Sequence, residues 1–357
     1  MGVKGFSKAF ESKVITLKKL KNTIIAIDAS VLLYKAALGA ASISTLTDSN
    51  NNPTMHINVI LAKILNFAVC DIGQIWVFDF HENGYQPPDK ALELASRKKK
   101  RESAEKILKD LKKEKKEESS IKNKQDDLFS SDEDEDENEN KSQTILSDLD
   151  KKICQKEKEC FSMSTQIVND CKFMLDCLDI TWTTAPKGIE AEHVCAELTN
   201  TDELDFACDA VFSTDIDALI YGSKQLVREI SIKKKKVLQL YNLNDILCDN
   251  KINMKDLTKI AVILGTDHAK KTSGIGPKTV LKKYQTVELS DEQNSAVQVF
   301  KKHIDVEKLK FSNEFGDYVI QNKKKMDLLI DWLVNIKSFN KDKLIKRINK
   351  VNTDYKY

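Results

Sequence analysis

No apolar run in these 357 residues approaches 18 in length, so nothing in the sequence is built to span a bilayer. The opening stretch, residues 1–21, lacks the apolar centre of a secretory signal. Phe6 stands where a myristoylation signal needs Ser or Thr. Eight cysteines are present, yet none forms a CxxC pair and no histidine stands at zinc spacing from them. The expectation is reduced, mostly buried thiols in a cytosolic or nuclear protein without a membrane partner.

Net charge is also nearly missing, and that hides an asymmetry. Lys and Arg number 57 against 55 Asp and Glu, a balance of +2. Nine carboxylates and no base lie between Asp126 and Glu139, which leaves +11 on the remainder. A basic folded part suits an anionic partner such as nucleic acid. The 41% hydrophobic content is enough to bury a sizeable core.

Short apolar runs alternate with helical stripes. Thr23–Ile27, Ile75–Phe78, Ile180–Thr184 and Ala210–Ser213 read as buried strands. Val31–Ala41, His56–Ala68, Glu190–Leu198 and Asp256–Leu264 read as helices. Leu226–Tyr241 reads as a hairpin around the lysine run 233–236, and residues 274–284 open another helix. The remainder is expected to be helical to about Val351. This alternation predicts an α/β fold with a mostly parallel sheet. From Lys90 to about Lys116 the chain is helix-prone, and Arg97–Lys124 carries a net +7. Ser119 to about Asp148 loses periodicity and reads as a disordered acidic insertion, with helix returning from Leu149 through Asp179.

Three strands run into aspartates: Asp28, Asp79, and Asp215 with Asp217. Glu190 and Glu192 follow another strand, and Asp267 follows a helix. In open α/β sheets the carboxyl ends of the strands face the functional crevice. Seven carboxylates sharing one pocket would raise each other's pKa, so they call for a cation. Oxygen-only ligation suits Mg²⁺ or Mn²⁺ rather than Zn²⁺. Two such ions about 4 Å apart are a known arrangement for phosphodiester hydrolysis. Against this stands a plainer possibility, that Asp28 and Asp215 merely cap helices.

In order along the chain, these residues resemble the flap endonuclease/XPG-type structure-specific 5′ nuclease family. The motifs are MGVKG at the start; Ile25–Ser30 with Tyr34; Val77-Phe78-Asp79 with Pro87-Pro88 and Glu93–Arg97; Ala185–Glu192; Thr214–Asp217; and Leu264–Asp267 with Gly274–Lys278. The resemblance covers about Met1–Lys116 and Lys151–Val351. It implies a PIN-like nuclease core, a helical cap and a helix-turn-helix DNA-binding segment. The parts would be an N-terminal nuclease region at 1–97, a basic cap helix at 98–118, the acidic insertion at 119–148, and a cap helix returning to the core at 149–179. An internal nuclease region at 180–285 and a C-terminal helical region at 286–357 would complete the chain.

The resemblance also implies roles. Asp28, Asp79, Glu190, Glu192, Asp215, Asp217 and Asp267 would hold two Mg²⁺ ions, with Mn²⁺ able to substitute. Lys90 and Arg97 would assist catalysis from the cap; seven apart on a helix, they share one face and can reach one phosphate. Tyr34 would stack on a base, Gly2 would lie near the site, and Gly274, Gly276, Lys278 and Lys282 would grip duplex DNA around a monovalent cation. The expected partner is branched or flapped DNA, bound by a monomer. Departures are a long loop at Phe80–Gln86, Thr165 where Lys is usual, and the acidic insertion. No Gln-x-x-Leu-x-x-aromatic-aromatic peptide for a sliding clamp precedes Tyr357. Nuclear localisation is expected, and the Lys-, Asn- and Ile-rich usage points to an AT-rich genome such as a viral one. The alternatives are a 5′→3′ exonuclease or bubble-cutting repair nuclease of the same superfamily, and an inactive DNA-binding scaffold.

Overall fold

The structure, a computed structural model, describes residues 2–40, 47–49, 52, 54–81, 91–126, 148–201, 204, 207–232, 235–314 and 322–351. The chain begins with α1 (Phe6–Ala9), β1 (Lys13–Ile15), β2 (Ile24–Asp28), α2 (Ala29–Ala40), α3 (Met55–Val69) and β3 (Gly73–Phe78). The long α4 (Ala91–Asp126) is followed by α5 (Asp148–Cys160), α6 (Thr165–Cys177), β4 (Thr181–Thr184), α7 (Ala191–Glu197), β5 (Ala210–Phe212) and α8 (Asp217–Ile220). Then come β6 (Gln225–Ile232), β7 (Lys235–Asn242), α9 (Leu243–Asn250), α10 (Met254–Leu264), α11 (Val280–Lys283), α12 (Asp291–Val299), α13 (Lys323–Asp331) and α14 (Lys341–Ile348).

The strands form one sheet in the order β1-β7-β6-β5-β2-β3-β4. The five strands from β6 to β4 are mutually parallel, and β7 and β1 add an antiparallel edge. Side chains on successive strand residues point to opposite faces. Ala26, Ile75, Val77 and Val211 therefore enter one core, and Ile25, Ile27, Trp76, Phe78 and Phe212 the other. Both faces are covered by helices, which is why β3 is buried along all six residues. The register sets Asp28 opposite Val77, and Ile27 opposite Phe212. The carboxyl ends of β2, β3 and β5 consequently come out on the same side.

The α/β fold with a mostly parallel sheet is as expected, and several boundaries differ. The three-residue β1 was not anticipated; so short a strand carries no period, and only its pairing with β7 defines it. Helix α4 continues to Asp126, past the expected start of the acidic insertion at Ser119. It pairs with α5 through Lys112–Glu157 and Lys115–Asp150. Residues 127–147, the remainder of the acidic stretch, lie outside the described residues, as do 82–90 and the hairpin turn at 233–234. The returning cap helix is broken at 161–164, where Ser164 accepts from the Ile167 N–H and starts α6 afresh. The C-terminal region is not continuously helical either. Its segment around Lys310–Ser312 runs along β4, with Thr183 opposite Phe311 and the Ser312 N–H donating to Trp182 O at 2.8 Å. An otherwise bare sheet edge is covered in this way.

Candidate active site

The carboxylates are built into the backbone that follows each strand. Asp28 ends β2; its Oδ1 accepts from the Val31 N–H at 3.2 Å, and its Oδ2 from the Ser213 hydroxyl at 3.0 Å. It thus caps α2 and also reaches across to β5. Asp79 follows β3, with its N–H on Ser30 Oγ and its Oδ1 accepting from the Ala191 N–H at 2.9 Å. Ser213 accepts the Asp215 N–H at 3.0 Å, and Asp215 Oδ1 accepts from the Ile216 N–H at 2.7 Å. Asp217 Oδ1 accepts from the Val3 N–H at 3.1 Å. Glu190 Oε2 takes the Tyr221 hydroxyl at 2.9 Å, with His268 Nε2 3.6 Å away. Asp267 follows α10 through Gly265, and its Oδ2 stands 3.9 Å from Arg97 Nη2 on α4.

Electrostatics joins all seven into one cluster. Asp28, Asp215, Asp217 and Glu192 are each at most 9% exposed. Burial, with the charge of Asp79, pushes the Asp28 carboxyl up to about 7. Burial pushes Glu192 well above the carboxylate range, and Asp215, Asp217, Glu190 and Asp28 add to it. Asp215 is raised by burial and by Asp267. Among the described residues no three His, Cys, Asp or Glu side chains converge as a ready metal cage. Five of the carboxylates instead take backbone or hydroxyl donors, as separated like charges would. The donor set still suits a hard divalent cation. It is all oxygen and largely buried, and Glu192 Oε2 has no hydrogen-bond partner among the described residues.

The N-terminal segment lies directly against this cluster. Gly2 has φ +78°, and a Cβ there would sit 1.7 Å from Asp215 Oδ1. The Lys4 N–H donates to Gly265 O at 3.0 Å, and a Cβ on Gly5 would meet Pro277 Cγ at 2.3 Å. Residues 2–5 therefore link the acidic pair Asp215/Asp217 to the 274–278 loop.

Two family domains match this chain: the XPG N-terminal domain over residues 1–104 and the XPG I-region over residues 179–267. The chain belongs to the XPG family. It is a phosphodiester-hydrolysing nuclease, and all seven carboxylates fall inside the two matched regions. It is 26% identical to flap endonuclease 1 of Methanococcus aeolicus over 359 residues, covering 99% of this chain and 95% of that one. Its fold resembles the flap endonuclease-1 structure from Methanococcus jannaschii, with TM-score 0.64, 21% identity and coverage of 98% and 97%. The catalytic core of Rad2 in complex with DNA substrate superposes with TM-score 0.61 at 16% identity, covering 98% of this chain and 100% of that one.

The other anticipated residues of this XPG-family nuclease are placed unevenly. Lys90 lies outside the described residues. Arg97 is half exposed on α4 and faces the cluster through Asp267. Tyr34 on α2 is partly buried and meets Phe161 edge-on at 5.6 Å, where the cap helix is broken. Gly274 takes φ +73° with open space around it. The Gly276 N–H already donates to Thr279 Oγ1, and its carbonyl accepts from the Thr279 and Val280 N–H groups. Lys278 and Lys282 project into solvent. Four supporting residues escaped sequence reasoning: Ser213, Tyr221, His268 and Arg228, whose Nε and Nη2 hold Thr214 O at 3.0 and 2.8 Å. Position offered a hint for two of them, since Ser213 precedes the Thr214–Asp217 motif and His268 follows Asp267. Tyr221 and Arg228 carried no such sign.

Proposed function

We propose that this nuclease is a Mg²⁺-dependent, structure-specific 5′ endonuclease that cuts flapped or branched DNA in replication and repair. The observation that carries the reading is the single interacting cluster of seven carboxylates at the carboxyl edge of the sheet, flanked by the basic α4. Asp28, Asp79, Glu190, Glu192, Asp215, Asp217 and Asp267 would hold two Mg²⁺, or Mn²⁺ in their place. When bound, such ions supply Lewis acidity at the phosphate and lower the pKa of water.

The protein's own groups do the rest. The Arg97 guanidinium, 3.9 Å from Asp267 at the edge of the cluster, stabilises charge that builds on a phosphodiester in the transition state. Lys90, seven residues earlier, takes the same role. Tyr34 offers a ring to an unpaired base whatever its sequence. Lys278 and Lys282 neutralise duplex phosphates. A monovalent cation in the 274–278 loop would be held by backbone carbonyls there, of which that of Gly276 already accepts from the Thr279 and Val280 N–H groups. The protein acts as a monomer in the nucleus, and its eight cysteines are free thiols.

The test uses the full chain with Mg²⁺ on end-labelled flap, nick, bubble and blunt duplexes, beside Asp217→Asn. The expected result is cleavage at the flap base, no cleavage in EDTA, and loss of cleavage but not of DNA binding in the variant. Preferred cutting of bubbles or progressive trimming of blunt ends transfers the reading to the related exonucleases or bubble-cutting enzymes. Full activity in EDTA or in Asp217→Asn overturns the metal reading.

A further inference from the structure

We infer that Tyr221 is a positioning residue for Glu190, its hydroxyl setting the direction in which that carboxylate meets a divalent cation. The inference rests on the metal reading above and concerns a residue that reading does not use. Tyr221 Oη donates to Glu190 Oε2 at 2.9 Å, and the residue is only 8% exposed. Its ring lies flat on His193, with centroids 4.1 Å apart and planes 14° from parallel. The His193 Nε2 is 3.0 Å from Lys302 O, so that nitrogen carries the proton and the ring cannot turn without losing the bond.

A third ring, Phe300, tilts against Tyr221 at 5.0 Å and stands edge-on to His268 at 5.5 Å. His268 Nε2 is in turn 3.6 Å from the same Glu190 oxygen. Four rings from well-separated parts of the chain thus buttress one carboxylate. A phenylalanine would fill the same volume, and only the hydroxyl reaches Glu190. Outer partners of a metal ligand fix its orientation, and removing one typically weakens metal affinity on the order of 10–100-fold.

The experiment compares wild type with Tyr221→Phe as full chains. Calorimetric titration of Mn²⁺ into the DNA-free protein reads affinity directly, and Mg²⁺ dependence of single-turnover flap cleavage reads it in function. The expected result is roughly 10–100-fold weaker Mn²⁺ binding. The cleavage rate should recover toward wild type at saturating metal, with an unchanged melt in EDTA. A double-mutant cycle with Glu190→Gln should show that the penalty of Tyr221→Phe disappears once Glu190 is altered. Equal Mn²⁺ affinity in Tyr221→Phe and wild type overturns the inference, as does an undiminished penalty in the Glu190→Gln background. A wild-type chain that takes up no Mn²⁺ overturns the metal reading itself, and this inference with it.

Discussion

Replacing Gly2 with Ala puts a methyl carbon 1.7 Å from Asp215 Oδ1, 2.8 Å from Asp215 Cγ and 3.2 Å from Asp217 Oδ1. Real side chains keep at least 3.0 Å, so the segment or the carboxylate must move by about 1.3 Å. The backbone also resists, because φ +78° costs an alanine roughly 1–2 kcal/mol. Any retreat of residues 2–3 stretches the Val3 N–H bond to Asp217, now 3.1 Å. A displacement of about 1 Å at a reacting centre costs on the order of a hundredfold in rate. Gly2→Ala should therefore lower single-turnover flap cleavage about a hundredfold at saturating Mg²⁺, while the thermal melt and the affinity for DNA change little. The measurement is quench-flow cleavage of a labelled flap, paired with a melt in EDTA. Wild-type cleavage by Gly2→Ala would refute the reasoning, since it would mean that the N-terminal segment does not press on the acidic pair during catalysis.

Asp28 offers a pH test. A carboxyl held near 7 instead of its ordinary 3.8 keeps a proton in the folded state that the unfolded chain has released. Between about pH 4 and 7 the folded state binds more protons, so stability of the metal-free protein falls as pH rises, by roughly 4 kcal/mol from this group. Asp28→Asn should remove that slope in melts recorded in EDTA; an unchanged slope would mean another group carries it. Arg97→Ala should lower the single-turnover rate about a hundredfold, near 3 kcal/mol, with much less effect on binding. A loss seen only in affinity would make Arg97 a surface contact. Lys278→Ala and Lys282→Ala should each weaken duplex binding without changing substrate preference, and reduce the slope of log affinity against log salt by about one. An unaltered salt slope would remove that lysine from the DNA footprint.

Most of what could be read from the residues concerns features with a local signature. Ile25–Asp28, Ile75–Phe78 and Ala210–Phe212 are buried on both faces, so an uninterrupted apolar run betrayed each strand. The acids stood out because they cluster after strands and a helix and their order along the chain matched a family. Other features depend on partners far away in sequence. β1 exists only through β7, and the segment near Phe311 is extended because it lies against Thr183. Helix α4 pairs with α5 at Lys112 and Lys115, but nothing in its own composition marks where it ends, at Asp126. Tyr221 sits after an ordinary apolar turn and gains meaning only when Glu190, 31 residues earlier, is brought to its hydroxyl. For Asp28 the hydrogen bonds show the capping reading: Oδ1 accepts from the Val31 N–H and Oδ2 from the Ser213 hydroxyl.

The sheet order has a consequence for when hydrolysis becomes possible in the life of the molecule. β2, which carries Asp28, lies between β5 and β3, so its pairing with β5 waits for residues 210–212 to be made. Asp267 comes later still. At roughly 5–20 residues per second, a ribosome spends about 13–50 seconds reaching that residue. Until then no growing chain holds the whole carboxylate set, and closing so long a loop adds its own delay. The assembly order thus delays nucleic-acid cleavage until most of the chain has been synthesised. The carboxylate set is closed only when about three quarters of the chain has been made.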